Sequence, residues 1–296
     1  MKLRELIAVD WGTTSLRGAR LDNNGQVLEE RASAQGILKV KPGEFRTVFN
    51  HLFQDWLGSE TALVLISGMA GSQQGWVEAP YCACPAGFDE ITSRLTWLEP
   101  GRMAIVPGIS CEHAHGPDVM RGEEVQIFGA MQLTGLRDGV FVLPGTHNKW
   151  AQVEGGRVRS FKTFMSGEVY ALFSQQSILS KTLDANASLD ASAFLEGVSL
   201  SQQTEGLLHL AFSARTLGLF QRKTPGQLAS YLSGLVIGDE LRAQAMAPGT
   251  EVVLIGSEAL TSRYALAFAH RAIRFRKFGA EATWAGLHAI AKTLQT

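Results

Sequence analysis

No apolar run in this 296-residue chain approaches the roughly 18 residues that a membrane-spanning helix needs. The first such run, Leu6-Ile7-Ala8-Val9, stops at Asp10, too soon for the core of a signal peptide. The chain also lacks a charge excess: 27 Lys and Arg face 28 Asp and Glu, for a formal charge of −1, and no basic block marks a nucleic-acid or membrane footprint. Only three cysteines occur, Cys82, Cys84 and Cys111, which gives no even disulfide framework and suits a reducing compartment. These absences predict a soluble cytoplasmic protein with a small-molecule partner, no nucleic acid and no membrane. Cys82 and Cys84 with Cys111, His113 and His115 do not form an established zinc-ligand spacing. Two phosphate-binding signatures are missing as well: G-x-x-x-x-G-K-[ST], and a G-x-G-x-x-G after the first strand.

What is present begins with Ala8-Val9-Asp10-Trp11-Gly12-Thr13-Thr14-Ser15-Leu16-Arg17, an apolar strand that ends in a carboxylate and then in small polar residues. Residues 6 to 10 read as a buried strand and Leu16 to Leu21 as its hairpin partner, turning through Asp22-Asn23-Asn24-Gly25 into a third strand near Val27. Further strands are expected at Ala62 to Ile66, ahead of the glycine-rich loop Ser67 to Trp76, and at Met103 to Val106. From Gly122 the apolar spacing turns helical through Val125, Phe128 and Met131, with an end expected near Gly135.

The chain then begins again. Val140-Phe141-Val142-Leu143-Pro144-Gly145-Thr146-His147-Asn148-Lys149-Trp150 repeats the sequence of strand, Gly-Thr, short polar run and second strand, and a Gly turn leads to a third strand near Val158. Gly12-Thr13 matches Gly145-Thr146, which points to a duplicated domain. Helices are expected over Gly167 to Leu183, Ala193 to Arg215, Leu228 to Gln244 and Ala259 to Ala272, with a strand at Val252 to Ile255. The predicted organisation is an N-terminal lobe over 1–121, an interlobe helix over 122–137 and a C-terminal lobe over 138–296 whose final helix returns to the first lobe.

Backbone N–H groups and hydroxyls in two such hairpins suit a phosphate chain, and a carboxylate at a strand end suits a hydrated magnesium ion. Taken alone, Asp10 also suits a turn cap, Trp76 a core anchor, His147 a local hydrogen bond, and Glu123 and Glu124 the first turn of a helix.

The motifs VDWGTTSLR, SGMAGSQQGWVEAPY (67 to 81), DVMRGEEVQIFGA (118 to 130), LPGTHNKW (143 to 150), FKTFMSGEVYALF (161 to 173) and VVLIGSEALTSRYALAF (252 to 268) are similar to those of the 2-dehydro-3-deoxygalactonokinase family. That family lies within the superfamily of actin, hexokinase and the heat-shock ATPases. The resemblance implies an α/β fold of two ribonuclease H-like lobes, the actin-like ATPase fold, with the active site in the cleft between them. It implies transfer of a phosphoryl group from ATP, with Mg²⁺, to the terminal 6-hydroxyl of 2-dehydro-3-deoxy-D-galactonate in galactonate catabolism, by a chain for which a homodimer is an open assembly state.

By that resemblance Gly12, Thr13, Thr14, Gly145 and Thr146, with Lys149, contact the nucleotide phosphates, Gly256 and Ser257 face the adenosine, and Asp10 holds Mg²⁺ through water. Ser72, Gln73 and Trp76 form the sugar-acid wall; Arg121, Lys149 and Lys162 are candidates for its carboxylate, and His147 for a substrate bond. The aspartate that related kinases use as base falls on Gly122, so Glu123, then Asp118, then Glu124 are the candidate bases. Rival readings are a kinase of another sugar or sugar acid, and a nucleotide-switched binding protein that phosphorylates no small acceptor.

Overall fold

Buried strands of small and β-branched residues, each followed by a helix or a tight turn, order the chain into two large sheets, one small sheet and nine α-helices among the described residues of a computed structural model, namely 5–58, 62–244, 246 and 249–294. The first sheet is built from β1 (Leu6–Trp11), β2 (Leu16–Leu21), β3 (Val27–Ser33), β4 (Leu63–Ser67), β6 (Thr96–Glu99) and β7 (Met103–Ile105). Its order is β3-β2-β1-β4-β7-β6. β1 runs antiparallel to β2, with Asp10 opposite Arg17, and parallel to β4, with Asp10 opposite Ser67. Being central, β1 and β4 are covered on both faces, which is why they read as continuous apolar runs. β5 (Tyr81–Ala83), β8 (Gly108–His113) and β9 (Gly116–Met120) make a separate small sheet in the order β5-β8-β9.

Helices α1 (Phe45–Phe53), α2 (Phe88–Ser93) and α3 (Glu123–Thr134) belong to the same half of the chain. Phe45, Phe49 and Phe53 of α1 lie one turn apart and pack with Trp11, Leu16 and Trp56 into the core of the first sheet.

The second sheet has the order β12-β11-β10-β13-β14, from β10 (Gly139–Leu143), β11 (Asn148–Glu154), β12 (Arg157–Phe164), β13 (Glu251–Ile255) and β14 (Arg274–Phe278). Three strands in hairpin succession followed by a fourth beside the first is also the opening order of sheet one, so the sequence repeat is a repeat of topology. Helices α4 (Ser166–Gln176), α5 (Ala191–Leu200), α6 (Leu207–Leu219), α7 (Pro225–Ala243), α8 (Glu258–His270) and α9 (Glu281–Thr293) complete the set. The single helix expected over Ala193 to Arg215 is two, α5 and α6, because the polar stretch Gln202 to Glu205 and Gly206 break the apolar pattern. α4 stops at Gln176, earlier than Leu183, and a 3₁₀ turn over Ile178–Lys181 follows.

The chain divides into two compact units, one of Met1–Phe141, Ala151–Lys162 and Phe278–Thr296, the other of Val142–Trp150 and Thr163–Lys277. In the first unit α9 packs along α3 through glycines: a Cβ on Gly129 would sit 1.7 Å from the Ala282 carbonyl oxygen, and one on Gly286 would sit 1.9 Å from that of Val125. No helix among the described residues is long and apolar enough to cross a membrane.

Candidate active site

In the first unit the end of β1 and the turn after it form the first Gly-Thr hairpin. The Gly12 N–H closes the turn onto the Ser15 carbonyl at 2.9 Å, and Leu38 donates its N–H to the Thr13 carbonyl at 3.3 Å. Gly36 lies against the same turn, so closely that a Cβ there would meet Thr13 O and Thr14 N at 2.3 Å. Thr13 and Thr14 stand exposed at the crest.

Asp10 leaves this strand half-buried, one oxygen accepting from the Arg17 guanidinium across the ladder. Its other oxygen faces Gly68, where a Cβ would approach it to 3.2 Å. Gly68 in turn packs on Gly122, which adopts φ +103° and whose own Cβ would come within 3.2 Å of the Gly68 Cα. This triple approach brings the N-terminus of α3 to the ends of β1 and β4. It also explains why position 122 carries no carboxylate: a side chain there has neither the backbone conformation nor the room.

The base candidates fall out differently. Glu123 is half-buried and accepts the Arg121 N–H at 3.0 Å. Glu124 is fully enclosed: one oxygen accepts the Gly122 N–H at 2.7 Å and the other has no hydrogen-bond partner among the described residues. Burial, with the neighbouring Glu123 adding to it, pushes the Glu124 carboxyl up to about 8. Asp118 lies on β9 opposite Cys111, with its Oδ1 accepting the Val119 N–H at 2.8 Å.

Arg121 is 8% exposed. Its Nη2 donates to the Ala79 carbonyl at 2.7 Å and its guanidinium lies 4.3 Å over the Tyr81 ring, while Nε and Nη1 have no partner among the described residues. A Cβ on Gly71 would meet Nη1 at 2.9 Å, so the 67–81 loop and Arg121 are brought together. In that loop Gln73 is exposed, Ser72 donates to the Met69 carbonyl, and Trp76 sits in an aromatic group with Trp11, Phe45 and Phe49 under the Arg46 guanidinium. Trp76 is therefore largely an anchor of its loop. Lys162 is exposed on β12.

The second unit carries the second hairpin. Gly145 donates its N–H to Asn148 Oδ1 at 2.6 Å and the Glu168 backbone N–H donates to the Thr146 carbonyl at 3.0 Å, while a Cβ on Gly167 would clash with the Gly145 carbonyl at 2.2 Å. His147 is exposed, its Nε2 lying 2.5 Å from Glu168. Lys149 is buried and donates to Thr163 Oγ1 at 2.7 Å. Gly256 passes close to Pro144 (3.5 Å from a Cβ to its carbonyl), and Ser257 holds the N-cap position of α8 beside it without a side-chain capping bond. Next to the hairpin, Ser166, Tyr170, Val236, Ile237, Leu260 and Arg263 line part of a shallow apolar recess open to solvent.

Sequence reasoning missed Arg17 as the partner of Asp10, and it missed Asn148 and the buried Glu240 behind it. The only available signal for Asn148 was its place in the repeat, where it stands for Ser15. Among the described residues no three His, Cys, Asp or Glu side chains cluster to make an all-protein metal cage, and burial pushes the Cys82 thiol up to about 11. One carboxylate with a free oxygen at a strand end is nevertheless a donor set that suits Mg²⁺, which keeps most of its waters.

A duplicated strand order with a Gly-Thr hairpin opening each sheet defines an α/β protein of the actin-like ATPase fold. At the level of fold alone, the activator of the 2-hydroxyisocaproyl-CoA dehydratase from Clostridium difficile with bound ADPNP is similar, with 12% identity, TM-score 0.52, and 98% of this chain and 96% of that one covered. The model of the 2-keto-3-deoxy-galactonokinase family matches residues 10–290, and the chain belongs to that family of carbohydrate kinases. It is 34% identical to the 2-dehydro-3-deoxygalactonokinase of Escherichia coli (strain K12) over 264 residues, 88% of each chain. A crystal structure assigned to a 2-dehydro-3-deoxygalactonokinase protein from Sinorhizobium meliloti shares 33% identity and a TM-score of 0.89, covering 98% of this chain and 99% of its own.

Proposed function

We propose that this carbohydrate kinase transfers the γ-phosphoryl group of ATP to the 6-hydroxyl of 2-dehydro-3-deoxy-D-galactonate, with the roles divided between the two units. The observation that carries the reading is the pair of topologically equivalent Gly-Thr hairpins, each clamped by a glycine with no room for a side chain.

The N–H groups of Gly12 and Gly145 close their own turns, so the phosphate donors are the exposed Thr13, Thr14 and Thr146, through N–H and hydroxyl, with the glycines allowing close approach. The recess beside Gly145, walled by α8 after Gly256 and Ser257, takes the adenosine. Mg²⁺, held through water by Asp10, supplies neutralisation of the phosphate charge when bound. In the first unit Arg121, with two buried nitrogens that have no partner among the described residues, receives the sugar-acid carboxylate, and Ser72 and Gln73 contact its hydroxyls. Glu123, at the first turn of α3, accepts the proton of the attacking hydroxyl. Lys149 and His147 support the second hairpin, and Lys162 and Asp118 are secondary candidates.

Purified protein should release ADP from MgATP only when 2-dehydro-3-deoxy-D-galactonate is added. The gluconate epimer, galactonate, galactose and glucose are the controls. Strong stimulation by one of these instead would replace the substrate, and acceptor-independent hydrolysis would overturn the kinase reading.

A further inference from the structure

The second hairpin is held from behind by a single buried carboxylate. Glu240 of α7 is 2% exposed, and four side chains from three other elements donate to it. Its Oε1 accepts from Trp150 Nε1 at 2.6 Å; its Oε2 accepts from Asn148 Nδ2 at 2.7 Å, from the Tyr264 hydroxyl at 2.9 Å and from the Ser166 hydroxyl. Asn148 also donates to the Tyr264 oxygen, and with its own Oδ1 it accepts the Gly145 N–H. Every polar atom of the Asn148 amide is thus directed, and the direction passes from Glu240 to the hairpin turn.

The donors matter for where they come from. Asn148 and Trp150 belong to β11, Ser166 to the start of α4 just ahead of Gly167 and Glu168, which clamp the hairpin, and Tyr264 to α8. Asn148, Ser166 and Tyr264 also line the apolar recess. One carboxylate therefore fixes together the turn, the helix that clamps it and the helix that walls the recess. A buried carboxylate is a poor way to gain stability, since burial raises its pKa and its desolvation is costly, but a good way to specify one arrangement. The indole and amide N–H groups can only donate, so residue 240 needs an acceptor at both oxygens; glutamine would turn its own NH₂ against one of them.

We infer that Glu240 is a positioning residue of the nucleotide site, acting through Asn148 on the Gly145-Thr146 turn. This rests on the reading of that turn as a phosphate clamp.

The test is steady-state kinetics of Glu240→Gln, Asn148→Ala and the double variant, with thermal midpoints measured in parallel. The inference expects KM for ATP to rise about tenfold or more in each single variant, KM for the sugar acid to stay within about twofold, and the double variant to be no worse than the poorer single one. A lowered thermal midpoint with both KM values unchanged, or additive losses, would overturn it. If Glu240→Gln does not fold, Asn148→Ala alone decides, because it cuts the same link on the hairpin side. Gly167→Ala, which presses directly on Gly145, separates the two layers. If it too leaves KM for ATP unchanged, the clamp reading fails; if it raises KM while the Glu240 and Asn148 variants do not, only the present inference fails.

Discussion

The two Gly-Thr hairpins solve one geometric problem with different chemistry. In the first, the turn is closed by backbone alone, from Gly12 N–H to the Ser15 carbonyl, and supported by Ile37 and Leu38 N–H groups that donate to Gly12 and Thr13. In the second, the residue equivalent to Ser15 is Asn148, and its side chain, anchored on Glu240, closes the turn. Ahead of the first hairpin stands Asp10; the equivalent position ahead of the second is Leu143, buried in its strand. The clamp is duplicated and the carboxylate is not. This is the expected outcome if both turns face phosphate and only one unit organises the metal and the acceptor.

Breaking that asymmetry should give the largest effect. Asp10→Asn keeps the strand but removes the charge, and kcat should fall about 100-fold or more with ATP binding largely kept; Leu143→Ile, the matching site, should leave kcat within a few-fold. Near wild-type turnover in folded Asp10→Asn would remove Asp10 from the chemistry.

Next comes the symmetric lesion. Gly36→Ala and Gly167→Ala each force a Cβ into the backbone of a hairpin, and each should cost about 1–3 kcal/mol of stability and raise KM for ATP. If only one changes ATP kinetics, the hairpins are not functional equivalents. Arg121→Ala sharpens the division of labour: KM for the sugar acid should rise about tenfold with KM for ATP unchanged, and Arg121→Lys should restore little, because a point charge does not replace the guanidinium fork.

A further effect bears on stability rather than turnover, and it concerns pH. The Glu124 carboxyl is raised in the folded protein to about 8 against an ordinary value of 4.5, so the folded state holds a proton that the unfolded state has released. Its contribution to stability is fully present below the ordinary carboxylate range and is lost as pH rises toward about 8. Urea midpoints measured from pH 5 to pH 8 should therefore fall, and Glu124→Gln should flatten part of that slope. The raised Glu240 acts in the same direction and leaves the remainder. An unchanged slope in Glu124→Gln would show that Glu124 is ionised when folded.

Much of the fold was legible because its signals are local. The runs at 6 to 10, 62 to 66 and 252 to 255 are buried strands, and Gly25, at φ +83°, turns the hairpin where the sequence placed it. The repeat of Gly-Thr turns predicted the repeat of strand order. What was not legible depends on contacts distant in sequence. The small sheet of β5, β8 and β9 is made of short strands with mixed exposure. The break between α5 and α6 is different: Gln202 to Gly206 marks it locally, and it was passed over in the sequence. In the site, position 122 was recognised as a departure, but its cause, the packing of Gly122 on Gly68, lies 54 residues away. Glu240 was invisible for the same reason. In an α7 sequence it reads as a helix-face carboxylate, and only the fold brings Asn148, Trp150, Ser166 and Tyr264 around it.

Whether each turn meets nucleotide phosphate, as proposed, can be read from amide NMR of protein labelled with ¹⁵N-glycine and ¹⁵N-threonine, titrated with a non-hydrolysable ATP analogue and Mg²⁺. Saturable shifts of Thr13 and Thr14 together with Thr146 are expected, with smaller shifts of Gly12 and Gly145. Shifts at one turn only, with the other unmoved at saturation, would contradict the proposal.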